Sequence, residues 1–273
     1  MHKIGFIGAG NMARAIIKGM VQTSYQASPS SILVASRSPI KPKSLAEDFG
    51  VSFIDSVEEL CQLADRVILA CKPQQLAQLS KEAVAILNQR SVPVVSILAG
   101  TSLATLSCYF SDAPIVRAMP NTSAAVGEAM TLLAAADAVQ EDLKKEIEVI
   151  FSGCGDYLWL DEASLDRGSV LSGCGPAFFY VIAEGMIDAG VRLGLTRHEA
   201  LQLVAQTMRG CGTSLGEGQS PALLKDAVTS PAGTTIEGVV ALEKNGVRYA
   251  MIEAIEQAYQ RTLALSQGGE SHG

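Results

Sequence analysis

The stretch Lys3-Ile4-Gly5-Phe6-Ile7-Gly8-Ala9-Gly10-Asn11-Met12-Ala13 decides the fold. A short apolar strand ends at Ile7, glycines follow at once, and a helical pattern begins within three residues of Gly10 and runs to about Gln22. A G-x-G-x-x-A motif on its own is weak, because glycine pairs are common. Between a strand and a helix it has a specific physical meaning. Gly8 permits a tight turn, Gly10 lets backbone approach a pyrophosphate with no Cβ in the way, and Ala13 keeps the helix close to the sheet. Free N–H groups and the positive helix end then face the phosphates. The bland alternative is a strand-to-helix turn that holds nothing.

Working outward, a second strand spans Ser31 to Ser36 and ends in Ser36-Arg37-Ser38. An NAD-specific site places an acid there for the ribose 2′-hydroxyl. Two hydroxyls and a guanidinium suit a 2′-phosphate instead, which an acid would repel. The reading favours NADPH, with NADH weaker; Arg37 as an ordinary surface residue is the alternative. Further strands are expected at Val51–Ile54, Arg66–Cys71, Pro93–Leu98 and Ile115–Ala118. Helical patterns lie at Ser44–Phe49, from Ser56 with the capping-box spacing Ser56-x-x-Glu59, and from Pro73 to about Asn88. Strands separated by helix-length segments predict an α/β fold, a doubly wound parallel sheet of Rossmann type. Ligands of such sheets sit over the carboxyl ends of the strands, where Ala70-Cys71-Lys72-Pro73 and Ile97-Leu98-Ala99-Gly100 fall. Lys72 is read as an ancillary charge rather than a catalytic lysine, since nothing near it in sequence would lower its pKa.

The pattern changes near residue 161. From Asp161 to Gln267 no strand is expected, only long helices, including Pro176–Leu193, one opened by Thr196-x-x-Glu199 and one by Thr234-x-x-Glu237. The last helix carries Met251, Ile252, Ile255, Ala258, Tyr259, Thr262 and Leu265 at helical spacing. The expected organisation is a dinucleotide-binding domain over 1–160, an all-helical domain over 161–267 and a solvated tail over 268–273.

Composition narrows the classes. Of 273 residues, 48% are hydrophobic and 18% charged, which suits a packed globular protein rather than a disordered one. A net charge of -7 argues against nucleic acid, whose phosphates need a basic face. The start lacks the apolar stretch of a signal peptide, and no run approaches ~18 uninterrupted apolar residues, so no membrane partner is expected. The six cysteines lack C-x-x-C spacing and read as buried thiols in a reducing cytoplasm, with no metal site. The three histidines, His2, His198 and His272, all have bland explanations. A reductase without a usable histidine must take its proton from a hydroxyl or water.

The most distinctive stretch is Asp226-Ala227-Val228-Thr229-Ser230-Pro231-Ala232-Gly233-Thr234-Thr235-Ile236-Glu237. It reads as a helix stop, a tight turn and a new helix capped by threonines. Hydroxyls and unpaired N–H groups there make a nest for a carboxylate, and Thr234 or Thr235 can also offer a proton. A well-capped corner between two helices is the bland alternative.

Taken with Phe6 through Met12, Cys71-Lys72-Pro73, Arg117-Ala118-Met119-Pro120-Asn121-Thr122 and Ser172-Gly173-Cys174-Gly175-Pro176-Ala177, this stretch resembles the pyrroline-5-carboxylate reductase family from Lys3 to about Leu265. The resemblance implies NADPH-dependent hydride transfer to C5 of a cyclic imine, giving proline. It implies a homodimer built through the helical domain, with five dimers able to form a decamer. It places Ser230, Gly233, Thr234 and Thr235 on the substrate loop, with Thr235 catalytic beside the imine nitrogen, and Glu162 near substrate and cofactor. It places Ile7, Gly8, Ala9, Gly10, Asn11, Met12, Ser36, Ser56, Ala70, Cys71, Lys72, Pro73, Ile97, Leu98 and Ala99 on the cofactor site. Ala227 and Ser56 depart from asparagines usual at those positions, Ala232 from a glycine and Cys174 from a serine.

Two rivals remain at this point. A β-hydroxyacid dehydrogenase-like reductase would need a lysine in the helix at Pro176–Leu193, which contains none. A non-catalytic NADPH-binding regulator would have no use for the Ser230–Thr235 loop.

Overall fold

Strand β1 (Ile4–Ile7) is buried along its whole length and leads into helix α1 (Asn11–Gln22). The computed structural model describes residues 2–23 and 28–269. The alternation continues through β2 (Ile32–Ala35), α2 (Ile40–Phe49), β3 (Ser52–Phe53), α3 (Val57–Leu63), β4 (Arg66–Leu69), α4 (Lys81–Gln89), β5 (Val94–Ser96), α5 (Leu103–Tyr109) and β6 (Ile115–Met119). These six strands are parallel, in the order β3-β2-β1-β4-β5-β6. Direction of winding reverses between β1 and β4, which opens a crevice beyond their carboxyl ends. Period-two side-chain alternation fills both faces. Ile4, Phe6, Val34 and Ile68 join one cluster of buried residues, and Ile7, Leu33, Val67 and Leu69 the other. Covering on both faces explains why these strands read as unbroken apolar runs.

The sheet is larger than the sequence pattern indicates, and it is not wholly parallel. β7 (Ala129–Ala135) runs antiparallel to β6, α6 (Glu141–Ser152) follows, and β8 (Gly155–Trp159) pairs parallel with β7. The run Ala-Met-Thr-Leu-Leu-Ala-Ala of β7 has one β-branched residue, so its local preference points to helix. Pairing along β6 overrides that preference. The expected helix from Pro73 to Asn88 is also corrected. A 3₁₀ segment, Pro73–Gln78, stops at Leu79, and Ser80 caps a separate α4 by accepting from the Ala83 N–H.

α7 (Glu162–Ser169) leads into a short π-helical stretch, Val170–Cys174, then α8 (Gly175–Arg192), α9 (Arg197–Gly216), α10 (Pro221–Ala227), α11 (Thr234–Lys244) and α12 (Val247–Gly269). Among the described residues no strand follows Trp159. The chain divides into two compact units between Gly173 and Cys174, later than the change of pattern at 161, and α12 from Arg261 groups with the first unit. α12 persists to Gly269, so residues 268 and 269, expected in the solvated tail, are helical; residues 270–273, including His272, lie outside the described residues. Thr196 and Glu199 form a full capping box at the start of α9.

Within the second unit few side chains are buried, Ala200 and Val204 among them, whereas Phe179, Tyr180, Val181 and Met186 of α8 are exposed. The helical stretch Glu162–Arg192 is long and apolar enough, by length and composition, to cross a membrane, although Glu184 and Asp188 interrupt its apolar run. The cysteines also differ from expectation: all six are free thiols, but Cys108 and Cys211 are exposed.

Candidate active site

The cofactor residues expected in the first unit converge along the carboxyl edge of the sheet. Three backbone hydrogen bonds register the strand ends: Gly8 N–H to Ala35 carbonyl (2.8 Å), Ala70 N–H to Ile7 carbonyl (2.9 Å) and Ile97 N–H to Leu69 carbonyl (3.1 Å). Ile7 through Met12, Ser36, Ala70 through Pro73 and Ile97 through Ala99 are thereby brought to one edge. Gly8 has φ 114°, and a Cβ on it would stand 2.5 Å from the Ala70 carbonyl carbon and oxygen. Gly10 is different. Its φ of -77° suits any residue, and the nearest atom to a Cβ there, the Ala70 carbonyl oxygen, is 4.0 Å away. No protein contact requires glycine at 10, so the room it leaves is room for something else. No side chain caps α1, whose N–H groups face that space, and Ala13 is fully buried against the sheet. A cavity of about 190 Å³ lies here, lined by Ala9, Gly10, Asn11, Arg14, Lys41, Ser44 and Leu45. The arrangement fits a dinucleotide pyrophosphate.

Beyond β2, the Ser36 hydroxyl donates to the Ser38 carbonyl (2.7 Å), and Arg37 reaches across to the Gln78 side-chain oxygen (3.2 Å) while remaining exposed. The sequence reading missed Lys41. It sits in the first turn of α2, lines the cavity and has no ion-pair partner among the described residues. The available signal was the cluster Arg37, Lys41 and Lys43 directly after the second strand. Arg14 is committed to α2, paired with Asp48 at 2.7 Å and stacked over the Phe49 ring at 5.0 Å. Ser56 caps α3 by accepting from the Glu59 N–H (3.0 Å), so its hydroxyl is occupied locally. Lys72 is exposed, and burial raises the Cys71 thiol above its ordinary pKa, which keeps it protonated and unreactive. Leu98 turns its side chain into the core, leaving only its backbone to the crevice.

Glu162, expected near substrate, is engaged within the protein. One of its carboxylate oxygens accepts from the Arg117 guanidinium (2.6 Å) and from the Leu103 backbone N–H (2.6 Å). Arg117 is buried in β6 and donates with its other arm to Asp166 (2.9 Å). Arg117 belongs to the motif Arg117–Thr122, yet the partners of its buried guanidinium are not visible in the sequence alone. The signal was an arginine inside an apolar strand, a position that demands a buried partner.

In the second unit the segment expected to hold the substrate, Thr229–Gly233, is a tight turn. The Gly233 N–H donates to the Ser230 carbonyl (3.1 Å), and the Thr229 hydroxyl donates to the Lys225 carbonyl (2.7 Å). Ala232 has φ 54°, left-handed backbone that disfavours a side chain and explains why glycine suits this position. The expected capping by Thr234 is corrected: Gly233 is the N-cap of α11, Thr234 is its first residue, and no side chain caps the helix. Ser230, Thr234 and Thr235 are exposed, and neither threonine hydroxyl has a partner among the described residues. Free hydroxyls and uncapped N–H groups therefore share one helix end, suited to a carboxylate. No group of three or more metal-ligating side chains occurs among the described residues.

Comparison with known proteins bears on both halves. The family described as pyrroline-5-carboxylate reductase dimerisation matches residues 162–265, and that described as NADP oxidoreductase coenzyme F420-dependent matches residues 3–100. A pyrroline-5-carboxylate reductase of Arabidopsis thaliana is 37% identical over 266 residues, 97% of this chain and 96% of that protein. The solved structure of a pyrroline-5-carboxylate reductase from Coxiella burnetii is 34% identical, with TM-score 0.91, covering 97% of this chain and 98% of that one. A Plasmodium falciparum pyrroline carboxylate reductase structure with NADP bound is 30% identical, with TM-score 0.83 and the same coverage.

Proposed function

The chain belongs to the pyrroline-5-carboxylate reductase family, and from that premise we propose how its residues divide the work. It is an NADP-dependent oxidoreductase that reduces the C=N bond of pyrroline-5-carboxylate to give proline. When bound, the reduced nicotinamide supplies the hydride that reaches C5, and one proton completes the amine at nitrogen.

The protein's own residues bind, orient and shield. Gly8 through Met12 receive the pyrophosphate on the N-terminus of α1, with Ile7 at the strand end beneath. Ser36, Arg37 and Lys41 hold the 2′-phosphate, which accounts for the absence of an acid at the end of β2. Ala70 through Pro73 and Ile97 through Ala99 form the walls beside the nicotinamide ribose, and Ser56 lies at the adenine side. Ser230, Gly233, Thr234 and Thr235 hold the substrate carboxylate at the N-terminus of α11. The Thr235 hydroxyl faces the imine nitrogen and hydrogen-bonds to it.

An imine nitrogen is far more basic than a ketone oxygen, so the substrate arrives largely protonated and already electrophilic. Orientation and charge complementarity then carry most of the catalysis, and a strong acid is not required. The rival hydroxyacid reductase would place a lysine in Gly175–Arg192, where there is none.

The exposed apolar face of α8 covers itself against a second copy, supported by the dimerisation family spanning 162–265, rather than against a membrane. Residues 1–160 serve the cofactor and 161–267 the substrate and the dimer. Five such dimers make a decamer. Six free thiols and an acidic surface suit the cytoplasm.

The observation that carries this reading is likeness over 97% of the chain, because it spans cradle and loop alike. Incubating the protein with NADPH and pyrroline-5-carboxylate is expected to consume NADPH and form proline in equal amounts. NADPH loss without proline would refute it.

A further inference from the structure

Arg117 is 5% exposed in a strand whose neighbours Ile115, Val116 and Ala118 are apolar. A charge so placed is costly unless each arm is paired. Its arms go to Glu162, the first residue of α7, and to Asp166, one turn later. Neither of these pairs accounts for the third bond. The same Glu162 oxygen that accepts from Arg117 also accepts from the Leu103 N–H at 2.6 Å. Leu103 is the first residue of α5 and ends the loop that leaves β5 at Ser96.

That loop is fastened at two points. Leu98 is sunk in the core with 3% exposure, and Leu103 is held by Glu162. Between them Ala99 and Gly100 form an exposed crest, with Gly100 at φ 69°. We infer that Glu162 is a positioning residue: charged and held by Arg117, it fixes the Ile97–Ser102 loop at the height at which its crest meets the nicotinamide half of the cofactor. The inference rests on the placement of Ile97–Ala99 in the cofactor site, and it deepens that reading. It assigns Glu162 to the cofactor wall instead of to direct contact with the imine acid. Asp166 steadies the guanidinium by pairing with its other arm.

The test is direct binding without substrate, followed by nicotinamide fluorescence for NADPH and by competition for 2′-phospho-ADP-ribose, which lacks the nicotinamide. Glu162→Gln keeps the size and one acceptor oxygen but removes the charge. It is expected to weaken NADPH by about 5-fold or more while leaving 2′-phospho-ADP-ribose within about 2-fold, the scale of one charge-assisted hydrogen bond. Leu103→Pro cuts the same bond from the other side, because the first helical position tolerates proline and loses only its N–H. It should reproduce the selective loss, and Leu103→Ala, which keeps the N–H, should not. Equal weakening of both ligands would show a general disturbance of the sheet and overturn the inference. So would unchanged NADPH binding with a raised KM for pyrroline-5-carboxylate, which would mark Glu162 as a substrate contact. Failure of the wild-type protein to bind NADPH at all would instead strike the underlying functional reading.

Discussion

The backbone of Gly8 lies against Ala70 so closely that a Cβ on Gly8 would stand 2.5 Å from the Ala70 carbonyl. Two residues on, a Cβ on Gly10 would meet nothing nearer than the Ala70 carbonyl oxygen at 4.0 Å. Two glycines of one motif thus differ: a contact within the protein requires glycine at 8, and none requires it at 10.

That difference is measurable. Gly8→Ala combines a positive φ with a backbone clash and is expected to cost about 3 kcal/mol or more, seen as a large fall in the unfolding midpoint. Gly10→Ala should leave stability within about 0.5 kcal/mol and weaken NADPH binding at least about 10-fold. Equal stability losses in the two variants would show that the space at Gly10 is not kept for a ligand.

Thr235→Ala removes a hydroxyl that has no partner among the described residues, so the fold has little to lose. Turnover is expected to fall about 10-fold or more with the unfolding midpoint unchanged. Steady-state kinetics at saturating NADPH decide it, and wild-type kcat in the variant would take Thr235 out of the mechanism.

Arg37 and Lys41 are expected to set cofactor choice. Their joint replacement by alanine should lower kcat/KM for NADPH by about 10-fold or more and leave NADH nearly unaffected, since only NADPH carries the 2′-phosphate. Rising salt should mimic the effect in the wild type by screening exposed charges. A wild-type enzyme that favours NADH would contradict the reading of Ser36-Arg37-Ser38.

Acid should loosen the helix caps. The Thr196 hydroxyl, and then its backbone N–H, hold Glu199 below its ordinary pKa of 4.5; Ser164 does the same for Asp161 from 3.8. A lowered folded-state pKa adds stability that is present above the ordinary value and lost as pH falls through the folded one. Unfolding midpoints should therefore drop below about pH 4.5, and Glu199→Gln should flatten part of that slope. Parallel slopes for variant and wild type would remove Glu199 from the acid response.

The apolar strand, the glycine turn and the helical repeat of the first seventy residues could be read directly, because strand and helix periods are local and β1, β2 and β4 are buried on both faces. The threonine-rich turn was legible for the same local reason. The Arg117 assignment was not: Leu103, Arg117 and Glu162 are far apart in sequence, and only folding brings one carboxylate to both donors. Lys41 reached the cavity through the packing of α2, not through any motif.

By itself, then, the sequence determined the alternating architecture, the family, and the glycine turn and threonine-rich turn, since each depends on neighbours a few positions apart. The tertiary structure alone decided that β7 is an antiparallel strand and that Glu162 is tied to Leu103. Both depend on partners distant in the chain, whose hydrogen bonds exist only once the sheet has closed around them.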